Sequence, residues 1–140
     1  MRYCRRKIYM TKTEQSLSML RPSSTWERVI VAVWFLSVTI VVYGSLTPLP
    51  MMALDVPFAD KLLHFLAYCW LAALPMFLQR RAWGILAPPL AVMALGIVLE
   101  IGQLYVPGRT FSLVDMAANG AGVLAGTISG NILKPWIGGR

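Results

Sequence analysis

The chain is short of acid and of charge altogether. Six of its 140 residues are Asp or Glu against thirteen Lys and Arg, and only 14% are charged while 57% are hydrophobic. A soluble domain of this size needs more polar surface than that, so the composition points to lipid as the solvent. Cysteine is scarce too. Cys4 and Cys69 are the only two, they form no CxxC or Cys/His metal spacing, and no disulfide is expected between a basic arm and an apolar helix. Histidine occurs once, at His64. Strand alternation, heptads and repeats are missing, as is the GxSxG turn that a serine hydrolase would carry.

What is present is a series of apolar runs. Residues 1–27 form a polar, basic arm, and the remaining 28–140 read as one transmembrane domain. Four helices are predicted, over 29–46, 60–78, 83–105 and 112–133, giving an all-α polytopic membrane bundle with four transmembrane helices. The first run follows a long arm and precedes no clear small-x-small cleavage site, which favours a retained helix over a signal peptide. Pro48, Pro50 and Pro57 make the first connection a loop. Pro88 and Pro89 either bend the third helix or delay its start. Pro107-Gly108 marks a tight turn, and Ser112 is placed to cap the fourth helix, with Asp115 three residues on.

Seven of the thirteen basic residues precede the first run, Arg80-Arg81 follow the second, and Lys134 and Arg140 follow the fourth. Basic residues are retained on the cytoplasmic side, so both termini are expected there. The arm then reads as a topology determinant in contact with anionic lipid rather than as a nucleic-acid ligand.

That orientation gathers the expensive side chains. The second helix begins outside with Asp60, Lys61 and His64. The third ends outside with Glu100 and Gln103. Arg109 lies in the turn, and the fourth helix begins outside with Asp115 and Asn119. Helical phase puts Lys61, His64, Tyr68 and Ala72 on one stripe, and Asp115, Asn119, Gly122 and Gly126 on another. Small residues at Ala118, Gly122, Gly126 and Gly130 repeat every four positions, the pattern that lets membrane helices approach closely. Ionised groups in hydrocarbon cost several kcal/mol and face inward in pairs, so these residues are expected to share a wet chamber.

Together, Ser45-Leu46-Thr47-Pro48, Asp60-Lys61-x-x-His64-Phe65-x-x-Tyr68, Glu100-x-x-Gln103, Pro107-x-Arg109, Ser112, Asp115, Asn119 and Gly122 resemble the VanZ-like membrane proteins, over Ser45 to about Gly126. The resemblance implies a small multi-spanning bacterial membrane protein. The family's founding member is associated with resistance to the lipoglycopeptide teicoplanin, but the family has no settled biochemical activity.

Several readings of the cluster stand side by side. His64 is either a general base, oriented by Asp60 or Asp115 with Glu100 as a second carboxylate, or a structural histidine bonded to Glu100 or Tyr68. Arg109 either clamps a phosphate or carboxylate or forms a salt bridge with Glu100 or Asp115. His64, Glu100 and Asp115 form an imidazole-plus-two-carboxylate set, but Lys61 and Arg109 oppose a cation there, so no metal and no cofactor are expected.

The leading expectation is an envelope protein whose outward pocket binds an anionic lipid headgroup or a lipid-linked cell-wall precursor through Asp60, Lys61, His64, Glu100, Gln103, Arg109, Asp115 and Asn119, with lipoglycopeptide resistance as a further implication of the family. The alternatives are a hydrolase or transferase on a lipid-linked substrate, with His64 as base, or a structural subunit for a membrane partner or a second copy. Orientation has a direct test: Ala53→Cys reacts with an impermeant thiol reagent on intact spheroplasts, whereas Arg80→Cys does not. The opposite labelling pattern reverses the topology.

Overall fold

A computed structural model describes residues 25–48, 59–79 and 84–137, with residues 136 and 137 described by backbone alone. The basic arm up to residue 24, Pro50, Pro57, Arg80-Arg81 and residues 138–140 lie outside the described residues. Among the described residues there are four helices and no strand: α1 Thr25–Leu46, α2 Ala59–Leu78, α3 Ala87–Gln103 and α4 Leu113–Ile137.

The boundaries have local causes. α1 starts at Thr25, ahead of the apolar run, so residues 25–27 of the expected arm are helical. α3 starts at Ala87 rather than at residue 83, with Pro88 and Pro89 in its first turn. There the N–H groups lack helical acceptors anyway, so proline removes nothing. Its end tightens into i→i+3 bonds, Tyr105 N–H to Gly102 O at 3.0 Å and Val106 N–H to Gln103 O at 3.0 Å. α4 continues to Ile137, past the expected residue 133, and carries Pro135 only near its end.

Membrane character is unevenly shared. α1 and α2 are long and apolar enough to cross a bilayer. α1 has no buried residue, and Phe35 and Leu36 turn outward, as a lipid-facing helix requires. α3, with 17 residues, is about 25 Å long and falls short of a ~30 Å hydrocarbon core. α4 is long enough, but Asn119, Gly120, Gly122, Gly126, Thr127, Ser129, Gly130 and Asn131 dilute its apolarity. Length and composition therefore mark two membrane spans where four were expected.

The most extensive helix contact joins α2 to α4. A Cβ at Gly122 would collide with the Phe65 carbonyl, one at Gly126 with the Cys69 carbonyl, and one at Gly130 would lie 2.7 Å from Ala73 O. Both helices advance by four residues from contact to contact, so they run parallel with their backbones touching. α3 runs antiparallel to them. Tyr68 fills the space that Gly96 leaves, where a Cβ would come within 2.8 Å of the ring. Tyr68, Leu71, Ala72, Val92 and Val123 form the core, with Trp34, Val38 and Val41 of α1 packed on it.

α1 is tied to α2 through a proline. Pro75 has no N–H for the Leu71 carbonyl, and Trp34 Nε1 donates to that oxygen at 2.9 Å. Trp70 Nε1 returns a bond to Ser37 Oγ at 3.0 Å.

The glycine contact gives a stability prediction. Gly126→Ala destabilises the protein by about 1–3 kcal/mol, because its methyl meets backbone that cannot yield. Gly120→Ala, whose Cβ meets only Met93 Cε at 3.5 Å, stays within about 1 kcal/mol of the parent. Unfolding of both variants by graded denaturing detergent reports the difference. Equal stabilities would contradict the backbone contact.

Candidate functional site

The C-terminal ends of α1 and α3 and the N-terminal ends of α2 and α4 meet at one end of the bundle, and most of the polar residues collect there. The parallel α2–α4 contact fixes two pairs. His64 Nδ1 lies 3.0 Å from Asn119 Oδ1, and Lys61 Nζ lies 3.3 Å from Asp115 Oδ1. With the Asn119 oxygen facing the ring, Nδ1 is the donor, and in the neutral imidazole Nε2 is then the acceptor nitrogen. Nε2 is 3.8 Å from Asp60 Oδ1, one helical turn earlier on the same face. Asp115 and Asn119 are buried, whereas Lys61 and Asp60 are about one-third exposed.

The Lys61–Asp115 pair is close in charge but poor in direction. Asp115 Oδ1 is buried and has no partner in hydrogen-bonding geometry, although the ammonium stands at ion-pair distance. The separation is physical, whereas the lone pairs are not met, so the contact is best treated as Coulombic.

Glu100 has a different task. Ser112 Oγ accepts from Asp115 N–H at 3.2 Å, the expected cap of α4. In a capping box, the third residue would reach back to the cap's own N–H. Here Glu100 does so from α3: its Oε1 accepts from Ser112 N–H at 2.6 Å. Asp115 is thereby released to face Lys61. Glu100, only 1% exposed, locks the α3–α4 connection and is neither paired with Arg109 nor hydrogen-bonded to His64.

Arg109 is aimed by its turn. Arg109 N–H bonds Val106 O at 3.1 Å across Pro107-Gly108, and Gly108 has φ +81°, a conformation that suits glycine. From there Arg109 Nη2 donates to Gly44 O at 2.8 Å, satisfying a carbonyl in the last turn of α1. α1 has no basic residue of its own in that turn, and Arg109 supplies the cation that its C-terminus favours. Arg109 does not form the salt bridge with Glu100 or Asp115 that was one reading.

A cavity of about 360 Å³ opens beside these groups. Asp60, His64, Gln103 and Arg109 line it together with Tyr68 and Ser45, and α1 closes one wall with Ile40, Val41 and Gly44. Of the eight expected site residues, four thus face the cavity. Lys61, Asp115 and Asn119 form the polar layer between α2 and α4, and Glu100 lies in the cap.

A family model described as VanZ/LLP1 matches residues 5–134. The chain belongs to the VanZ/LLP1 family. No curated protein and no solved structure matches it. The family match reaches far upstream of Ser45, so the arm and α1 belong to the VanZ/LLP1 region rather than lying outside it. Family membership and two helices of membrane-spanning length together point to a membrane protein.

Sequence reasoning overlooked the wall given by α1. Its signal was the Ser45-Leu46-Thr47-Pro48 run at the end of the first helix, which belongs to the resemblance but carries no charge. The capping role of Glu100 has a measurable consequence. Glu100→Ala lowers stability by about 1–3 kcal/mol by leaving the Ser112 N–H unmatched, while Glu100→Gln, which keeps an acceptor oxygen, loses less than half of that. Thermal unfolding in micelles distinguishes them. An alanine variant as stable as the parent would remove the cap.

Proposed function

We propose that this VanZ/LLP1 protein binds the anionic headgroup of a lipid or of a lipid-linked cell-wall precursor in the cavity between α1, α2 and α3. The observation that carries the reading is the place of Arg109. One guanidinium nitrogen is held on Gly44 O while the side chain lines a cavity of about 360 Å³. A guanidinium has five N–H donors in a rigid fork that matches phosphate and carboxylate oxygens, so one anchored bond leaves donors for a ligand. The size suits a headgroup, and the Ile40–Val41 wall offers apolar surface to the start of an acyl chain.

The charge distribution supports a location in a bacterial cytoplasmic membrane with both termini inside, which turns this end of the bundle outward. In that position a headgroup binder acts on the outer leaflet and alters what agents from outside meet there, the setting in which lipoglycopeptide resistance would arise. A hydrolase reading with His64 as base draws less support, since Glu100, its second carboxylate, is engaged by Ser112 N–H. As a binding module the chain needs neither a cofactor nor nucleic acid.

Binding is testable with purified protein in zwitterionic nanodiscs doped with anionic lipid. Arg109→Gln weakens retention of phosphatidylglycerol about 10–100-fold, the worth of one or two charge-assisted hydrogen bonds, and leaves phosphatidylcholine unaffected. Arg109→Lys recovers only part of the affinity, because the fork is lost. Native mass spectrometry counts the retained lipids, and equal retention by the parent and Arg109→Gln would remove the headgroup reading.

A further inference from the structure

We propose that Asp60, His64 and Asp115 form a binding site for a divalent cation of the zinc class, with Lys61 holding the position in the metal's absence. The oxygen and nitrogen atoms that these three residues can offer all lie within 4.8 Å of one another. A tetrahedral ion with bonds of ~2.0–2.1 Å sets its ligands about 3.3 Å apart, so modest side-chain rotation closes the set. Asp60 and His64 are spaced i,i+4 on α2, and Nε2 already stands 3.8 Å from Asp60 Oδ1.

Two further observations point to a ligand. Asp115 is 6% exposed, and the contact given for its buried Oδ1 is the Lys61 ammonium, 3.3 Å away and outside hydrogen-bonding geometry. A metal bond would give that oxygen the directed partner that the ammonium does not. The imidazole is also prepared. Its Nδ1 donates to Asn119 Oδ1, so in the neutral ring Nε2, which stands on the Asp60 side, carries the free lone pair. A second-sphere acceptor on the far ring nitrogen is the usual arrangement behind a metal-bound histidine. This triad differs from the His64, Glu100 and Asp115 set weighed and set aside on sequence grounds, because Glu100 is bound to Ser112 N–H and Asp60 takes its place.

The cations that seemed to oppose a metal are less of an obstacle in three dimensions. Arg109 is directed to Gly44 O. Lys61 is one-third exposed and meets Asp115 outside hydrogen-bonding geometry, so its ammonium can withdraw to water on a flexible stem. The ion would replace one positive charge by two beside the cavity that Asp60 and His64 line. Three protein ligands leave a coordination position open, which an anionic group in that cavity can take.

The test is made on the full-length protein in micelles with Zn²⁺ alone, and Mn²⁺ in parallel, without anionic lipid, so that its outcome is independent of the headgroup reading. Titration calorimetry against a competing chelator is expected to show one Zn²⁺ per chain. Asp60→Asn, His64→Gln and Asp115→Asn each weaken binding at least tenfold, Asn119→Ala weakens it about tenfold, and Lys61→Met binds as tightly as the parent or more so. Circular dichroism confirms folding of each variant. Asp60→Asn, at a position about one-third exposed at the start of α2, keeps the test decisive if a buried variant misfolds. Absence of saturable binding in both the parent and Lys61→Met overturns the site and makes Lys61 the permanent counter-ion of Asp115. Zn²⁺ binding that stays at full strength in Asp60→Asn, His64→Gln and Asp115→Asn overturns it equally.

Discussion

The backbone contact between α2 and α4 governs the arrangement of everything else. Gly122 and Gly126 admit the carbonyls of Phe65 and Cys69, with Gly130 set against Ala73, and no side chain larger than hydrogen fits at the first two. In a lipid environment the hydrophobic effect gives helices little reason to associate, so close packing must supply the attraction. The contact also fixes a register. Moving up both helices from Gly122 and Phe65 brings Asn119 to His64 and Asp115 to Lys61. The polar pairs are therefore consequences of a packing face that continues in the same phase toward the helix N-termini.

A second device holds the third helix to that pair. The N-terminus of α4 needs two donors satisfied, and Ser112 and Glu100 share the work from different elements. A local capping box would have used the Asp115 carboxylate for the Ser112 N–H, the bond that Glu100 makes here. The short Asp115 side chain is one methylene less than the Glu usually found there, and it turns toward Lys61 instead. Recruiting Glu100 buries a carboxyl group, but makes the α3–α4 connection part of the site's scaffold.

Much of this was legible in the residues. The polar ends of the two stripes meet, Lys61 at Asp115 and His64 at Asn119, because a 3.6-residue period fixes the face a side chain presents, whereas Tyr68 turns to Gly96 of α3, and Gly122 and Gly126 meet Phe65 and Cys69. The Ser112 cap and the Pro107-Gly108 turn were readable for the same reason: both are written in neighbouring residues. What could not be read was the partner of a long side chain across the fold. Arg109 reaches Gly44, and Trp34 reaches the Leu71 carbonyl freed by Pro75, through contacts that no local pattern encodes. Glu100 resembled a site carboxylate because its burial and its distance from Ser112 emerge only once α3 and α4 are joined. The start of α3 was misjudged because apolar residues before Pro88 continue the hydrophobic run, although the first-turn rule for proline pointed to the later start.

The site that results is divided by charge. Its two cations have gone to separate places, Arg109 to the end of α1 and Lys61 to the buried carboxylate of α4. Asp60 and His64 line one part of the cavity, and Arg109 with Gln103 another. Each cation is thus held by a structural acceptor that differs in kind. A carbonyl dipole restrains Arg109 without neutralising it, so its charge still acts on the cavity. A carboxylate neutralises Lys61 and withdraws its charge from play. The polar end of the bundle holds two basic residues of like charge, yet the fold gives one a carbonyl dipole and the other a counter-ion, and that difference follows from what each side chain can reach.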